Sequence, residues 1–321
     1  MATAFGKIVV VTRKTVLEEL VERHGTRGQA RFLAENRGES FTGIESAHAA
    51  YERSLTDLMA SLPAGIRTQR IDRGFLPNFL FGPHDLVVTL GQDGLVVNVA
   101  KYLAGQPLVA FNPDPERIDG VLLPFAVATA AATLEAVLAG ALPVRHLTMA
   151  RATLDDGQVV DAVNDLFIGV QSHASARYRL EWRNRREDQS SSGVIVSTGA
   201  GSTGWYRSIV TAAAGMAVSL GAGRATAGIA DRYRFDAEAR ELRFSVREPF
   251  ISRSSHATIV CGPIGPGESL DIVAQMPRGG VIFSDGMEQD FVRFDAGMRA
   301  RITVSDRQLA LVWPTSRGGS D

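Results

Sequence analysis

Chemistry in this sequence is concentrated in four short segments. The first, Leu90-Gly91-Gln92-Asp93-Gly94, stands where an apolar run ends and a helical pattern begins. Gly91 and Gly94 would let the backbone approach a phosphate, and a new helix offers unpaired N–H groups and the positive end of its dipole. A carboxylate there, Asp93, suits a base for a hydroxyl nucleophile or a magnesium ligand; the plain alternative is a turn in which Asp93 caps the helix. The second segment, VIVSTGAGSTG from Val194 to Gly204, is again strand, glycine-rich turn and helix. Gly199, Gly201 and Gly204 carry G-x-G-x-x-G spacing, and Ser197, Thr198, Ser202 and Thr203 add hydroxyl donors suited to an anion or a ribose. A Rossmann reading fails, because no Asp or Glu stands between Gly204 and Ala230 to hold a ribose and the following pattern is β-rich.

The third segment is Asn164-Asp165 inside VVDAVNDLFIGV, where two poor strand formers sit among apolar neighbours. An amide can bond an adenine edge and a carboxylate can accept from two vicinal ribose hydroxyls; equally, a bulge can use both side chains locally. The fourth is Asn112-Pro113-Asp114-Pro115, an extended loop stiffened by two prolines, from which the Asn112 amide projects.

Elements that would position these residues can be read from hydrophobic periodicity. Residues 7–12, 85–90 and 107–111 are short β-branched apolar runs of the kind buried on both faces of a parallel sheet. Residues 15–23, 45–61, 95–104 and about 125–139 show three- and four-residue apolar spacing, so strand and helix alternate. From 145 onward the period becomes two, over 145–154, 158–170, 176–183, 241–247, 256–262, 269–275, 299–305 and 308–313, with one helix at about 204–218. Asp156-Gly157 predicts a hairpin turn, and the charged run 183–192 predicts a solvated loop. The expected architecture is an α/β domain with a parallel sheet and flanking helices over 1–141, followed by a mostly β domain over 142–321.

Composition excludes several classes. With 34 basic against 35 acidic residues and 45% hydrophobic residues, the chain is an ordinary globular one, and its balanced charge gives no support to nucleic-acid binding. The apolar stretch 121–144 is broken by Pro124 and Glu135, so it reads as a core helix and not a membrane span. Cys261 is the single cysteine and the first residues lack the features of a secretory signal, which points to a reducing, cytoplasmic setting. The only lysines are Lys7, Lys14 and Lys101, none in a Walker context, and there is no G-x-S-x-G or H-E-x-x-H motif.

In order, the four segments resemble the NAD kinase family, and most nearly its mitochondrial-type subgroup. Gly91 to Gly94 answers that family's G-G-D-G, FNPDPERIDG its following loop, VNDLFIG its Asn-acid motif and SGVIVSTGAGSTGW its nucleotide loop; FSVREPF and Ser284-Asp285-Gly286 are similar too. The resemblance implies a two-domain fold, homodimers or homotetramers, and transfer of a phosphoryl group from ATP, with Mg²⁺, to the adenosine ribose 2′-hydroxyl of NAD. It implies Asp93 as base or orienter, Asn164 at the adenine, Asp165 at a ribose, and Gly199 to Gly204 around the dinucleotide, without assigning a metal ligand. Two positions depart from the pattern: Gln92 replaces a glycine and Leu95 a threonine. If position 92 needs left-handed φ, a side chain there is strained by about 1–2 kcal/mol. The alternatives are a non-catalytic NAD(P)-binding protein of the same fold, or a kinase for another hydroxyl, lipid or sugar.

Overall fold

The computed structural model describes residues 5–222, 228 and 232–315. The chain forms two compact units, one from the residues up to Arg145 together with those from Ala310, the other from His146–Leu309.

In the first unit the elements run β1 (Lys7–Thr12), α1 (Val16–His24), α2 (Arg27–Asn36), α3 (Phe41–Ala60), β2 (Arg67–Asp72), β3 (Asp85–Leu90), α4 (Asp93–Ala100), β4 (Leu108–Asn112), β5 (Phe125–Ala126) and α5 (Ala130–Leu138). The strands are parallel in the order β2-β1-β3-β4, with Leu311 of the last strand beside Leu108. β1 and β3 are almost wholly buried, as continuous apolar runs require when helices cover both faces. α3 turns Tyr51, Leu55 and Leu58 inward at helical spacing. α1 begins with a reciprocal capping box between Thr15 and Glu18. Since β2 and β3 flank β1 on opposite sides, the direction of winding reverses between β1 and β3, and a crevice opens at the carboxyl ends of those two strands.

α2 and β2 carry no clear sequence signal. α2 buries only Ala30 and Ala34, and β2, RTQRID, is a largely exposed edge strand whose polar residues resist unwanted pairing.

The second unit contains β6 (Val144–Leu154) from His146 onward, β7 (Val159–Ala162), β8 (Asp165–Val170), β9 (Ala176–Trp182), β10 (Arg185–Ser191), β11 (Val194–Ser197), α6 (Trp205–Ser219), β12 (Leu242–Val246), β13 (Cys261–Ile264), β14 (Leu270–Ala274), β15 (Gly280–Ser284), β16 (Val292–Arg293) and β17 (Arg299–Val312), whose last residues from Ala310 belong to the first unit. One layer has the order β10-β9-β14-β17, with β6 and β7 joined to it; the other has the order β13-β12-β11-β8-β15-β16. Their facing side chains, among them Leu166, Ile168, Val196 and Phe244 from one layer and Tyr178, Leu180, Ile272 and Ile302 from the other, form a single core. The α/β unit followed by a mostly β unit is as the periodicity predicts, and no helix among the described residues is long and apolar enough to cross a membrane.

Three local expectations are corrected. The charged run 183–192 is a strand rather than a loop: only Arg183-Asn184 turn, at φ 47° and 61°, and β10 pairs with β9 along its length. Its Glu187 is buried because the carboxylate accepts from the Thr258 and Ile259 N–H groups and from Gln189 Nε2. The run 158–170 is two strands, broken at Val163-Asn164. The runs 299–305 and 308–313 are the one strand β17.

Candidate functional site

In the first unit the residues of interest gather at the carboxyl ends of β1, β3 and β4. Gln92, not Asp93, is the N-cap of α4, with φ −98° and ψ 170° and no side-chain capping bond. That backbone is extended, so the strain foreseen for a side chain at position 92 does not arise. The Gln92 side chain instead accepts at Oε1 from Arg13 Nη1 at 2.9 Å. Leu95 is buried and packs on Gly91, where an added Cβ would meet Leu95 Cδ2 at 2.9 Å; the pair trades a hydroxyl for packing. Asp93 is half-buried as the first residue of α4, and its Oδ1 accepts from the Leu122 N–H at 2.6 Å. Its other oxygen has no hydrogen bond among the described residues. Gly94 is exposed, and a Cβ there would touch nothing.

Asn112 does not project as the sequence suggests. It is buried and braces its own loop, donating from Nδ2 to Ile118 O at 2.8 Å and accepting from Asp114 N at 3.0 Å. Around the crevice Tyr51 ties the strand ends together, its hydroxyl donating to Leu90 O and accepting from Arg13 N, each at 3.2 Å. Burial pushes the Tyr51 hydroxyl up to about 12, so it remains a neutral donor. Ser54 Oγ donates to Pro113 O at 2.7 Å, and Arg117 pairs with Asp114 and donates to Ser46 Oγ. Arg13, Tyr51 and Arg117 were missed in the sequence; only Arg13, just past a strand end, gave a positional hint.

In the second unit Asn164 and Asp165 are held by Asp285, the middle residue of the Ser284-Asp285-Gly286 turn, whose role the sequence did not show. Asp285, at φ 55°, accepts through its carboxylate from the backbone N–H groups of Val163, Asn164 and Asp165 at 3.2, 2.7 and 3.3 Å. Asp165 is 7% exposed, and its carboxylate has no hydrogen bond among the described residues. Burial, and secondly the charge of Asp285, push its carboxyl up to about 7. The oxygens are not sealed from solvent, and a carboxyl so poorly hydrated is one that ligand hydroxyls could reach and stabilise in its ionised form.

The loop from Ser197 to Gly204 packs directly on this turn. A Cβ on Gly201 would lie 2.0 Å from Asn164 O, and one on Gly199 2.0 Å from Asp236 O, so both glycines permit contact of backbone with backbone. Gly204 is the exposed N-cap of α6, where a Cβ would make ordinary contact with Gly201 O at 3.5 Å. The four hydroxyls are not open donors: Ser197, Thr198 and Ser202 are buried, giving their protons to Thr198 O, Val163 O and Gly199 O, and Thr203 points to Ala200 O. They build the turn, because a chain crossing this tightly leaves carbonyls that only short side chains can reach. Beyond it, Trp205 of α6 stacks on Phe167 of β8 at 5.7 Å.

A search of solved structures aligns 97% of the chain with 84% of the yeast NADH kinase crystallised with NADH, at a TM-score of 0.61 and 15% identity. The chain has the NAD kinase fold. An Archaeoglobus fulgidus NAD kinase in complex with ATP matches 97% of the chain over 94% of its own length, with a TM-score of 0.54 and 15% identity. No protein-family model matches the chain and no curated protein sequence is significantly similar to it. Within this NAD kinase fold, Gln92 and Leu95 are accommodated without positive φ, and Asn164-Asp165 and the glycine turn are interlocked through Thr198 and Gly201.

Proposed function

We propose that the protein is an ATP-dependent NAD kinase that phosphorylates the adenosine ribose 2′-hydroxyl. The observation that carries this reading is Asp165, a buried carboxylate with no protein donor, held by Asp285 beside a glycine turn. Vicinal ribose hydroxyls supply the two donors that it lacks, and the half-buried Asn164 amide next to it suits an adenine edge. The solved structures of similar fold hold NADH and ATP, which supports a nucleotide in each role.

Asp93 is assigned the reacting hydroxyl. Its Oδ1 bond to Leu122 N fixes the carboxylate, and its second oxygen is left to take the proton as the ribose oxygen forms a bond to the γ-phosphorus. The bond from that phosphorus to the β–γ bridging oxygen breaks, and ADP departs with the electron pair. The free N-terminus of α4 and exposed Gly94 suit close approach of phosphate oxygens. A magnesium ion carried in on the donor would keep its shell as water and phosphate oxygens, since the second oxygen of Asp93 is assigned to the reacting proton. When bound, that ion neutralises phosphate charge. The one cluster of three ligand-type side chains among the described residues, Glu18, His48 and Glu52, includes an imidazole, and its Glu18 Oε2 and His48 Nδ1 are both engaged by Thr15 Oγ1.

The test is purified protein with ATP, Mg²⁺ and NAD, read by an NADP-specific dehydrogenase. Sustained NADP formation is expected. A blank alongside NAD binding would replace this reading with that of a nucleotide-binding protein, and a blank without binding would leave only the fold.

A further inference from the structure

Outside the segments that carry the nucleotide chemistry, one group of side chains has the donors of a transition-metal centre. Glu18 is the third residue of α1, and His48 and Glu52 stand four apart on α3, so these two leave that helix on one face. One donor atom from each of the three lies within 4.8 Å of the others. Leu17, Leu20 and Val21 of α1 share an apolar cluster with Phe41 and Ile44 of α3, which holds the two helices in register beneath them. Thr15 fixes the state of the imidazole. Its Oγ1 accepts from the Glu18 N–H at 3.3 Å and gives its one proton to Glu18 Oε2 at 2.9 Å. His48 Nδ1, 2.9 Å from the same oxygen, must then be the donor there. The neutral ring is left with its lone pair on Nε2, and a ring whose other N–H is tied to a buried hydroxyl is oriented as metal-ligating histidines are. Glu18 Oε2 takes both Thr15 bonds, so Oε1 is free, and the Glu52 carboxylate has no partner among the described residues.

We propose that Glu18, His48 and Glu52 bind a zinc ion that fastens α1 to α3. Two carboxylates this close repel each other, and Lys14, which could have neutralised one of them, is spent on both oxygens of Glu22. A cation held between them relieves that repulsion. One nitrogen and two oxygens suit zinc, for which imidazole is a preferred ligand, better than magnesium, which takes oxygen. The site is therefore separate from any ion that arrives with a phosphate donor, and it stands whether or not the kinase reading does. Zinc at about 2.0–2.2 Å from each ligand sets tetrahedral donors roughly 3.3–3.6 Å apart, a closure of about 1 Å that rotation of two exposed glutamate side chains supplies. Three protein ligands leave the fourth position to water.

The full-length protein, freed of metal with a chelator, is titrated calorimetrically with zinc chloride and, as controls, with magnesium and calcium, and its melting temperature is followed with and without each ion. The parent should bind one equivalent of zinc saturably and melt higher in its presence, because a ligand of the folded state alone shifts the equilibrium toward it. Magnesium in large excess should do neither. Glu52→Gln, at an exposed position, should weaken zinc binding about tenfold, and His48→Ala by about a hundredfold with loss of the zinc-dependent rise in melting temperature. Glu18→Gln keeps a side chain able to complete the capping box, so its loss of zinc affinity with unchanged metal-free melting separates ligation from helix capping. Cys261→Ser, which removes an exposed thiol that could compete for the ion, should bind as the parent does. Absence of saturable zinc binding, zinc bound as tightly by His48→Ala and Glu52→Gln as by the parent, binding lost in Cys261→Ser, or magnesium binding as well as zinc would each overturn the proposal. Should His48→Ala fail to fold, the two glutamine variants decide it.

Discussion

Replacing Asp165 by Asn tests the central assignment through stability as well as affinity. In the free protein, burial and Asp285 raise this carboxyl from its ordinary 3.8 to about 7. The folded state therefore holds a proton that the unfolded chain has lost, so this group's contribution to stability is complete below pH 3.8 and declines as pH rises through about 7. At about 1.4 kcal/mol per pH unit, that span is worth roughly 4 kcal/mol. Asn has nearly the same shape and never ionises. Asp165→Asn should thus leave stability nearly unchanged at pH 4 and raise it by up to about 4 kcal/mol at pH 8, a shift on the order of 10 °C in melting temperature.

The same change should weaken NAD binding by about 1–3 kcal/mol at pH 8, because ribose hydroxyls lose a charged acceptor. NAD binding to the parent near pH 6.5 should release protons, as the diol favours the ionised form. Scanning calorimetry across pH 4 to 8 and NAD titration in two buffers of different ionisation enthalpy supply the readouts. A melting shift of equal size at pH 4 and pH 8, with NAD affinity unaltered, would refute both the buried ionisation and the ribose contact.

Asp93→Asn should lower turnover about 10²- to 10⁴-fold while NAD affinity stays within several-fold, since a base acts mainly in the transition state; unchanged turnover in the coupled assay removes Asp93 from the chemistry. Asp285→Ala strips an acceptor from three backbone N–H groups, and each one that water cannot reach costs about 1–3 kcal/mol, so both the melting temperature and NAD affinity should fall. A variant that melts and binds like the parent would show that the turn at Asn164 holds itself. Gly201→Ala should destabilise the fold by about 1–3 kcal/mol or more, because its methyl meets Asn164 O, whereas Gly94→Ala should melt normally and any loss of turnover in it reports on the ligand.

Much of the architecture was legible because burial leaves a periodic trace. β1 and β3 could be read residue by residue from continuous apolar runs, and the change to period two marked the second unit. Elements with little to bury left no such trace, as α2 with its two alanines and the exposed edge strand β2 show. β10 was hidden for another reason: its inward positions are Glu187, Gln189 and Ser191, and the first two are buried only through partners about 70 residues away, Thr258 and Ile259. Asp93 and Asp165 were visible as carboxylates in unusual company. Asp285 and Tyr51 act only through contacts that folding creates, Tyr51 by reaching Leu90 O and Asp285 by reaching Asn164 N.

The G-x-G-x-x-G spacing shows how a correct pattern can have a different physical cause. In a dinucleotide fold these glycines admit a pyrophosphate; here a side chain at Gly199 or Gly201 is excluded by the carbonyls of Asp236 and Asn164. The neighbouring hydroxyls are likewise spent on Val163 O, Thr198 O and Gly199 O. On the proposed reading, what this tight crossing leaves for a ligand is the Asp165 carboxyl, the Asn164 amide and exposed Gly204. A loop stiffened by its own hydrogen bonds can hold a poorly hydrated carboxyl at a fixed place, and on the proposed reading the cost of ionising it in the free protein is what arriving hydroxyl donors would offset.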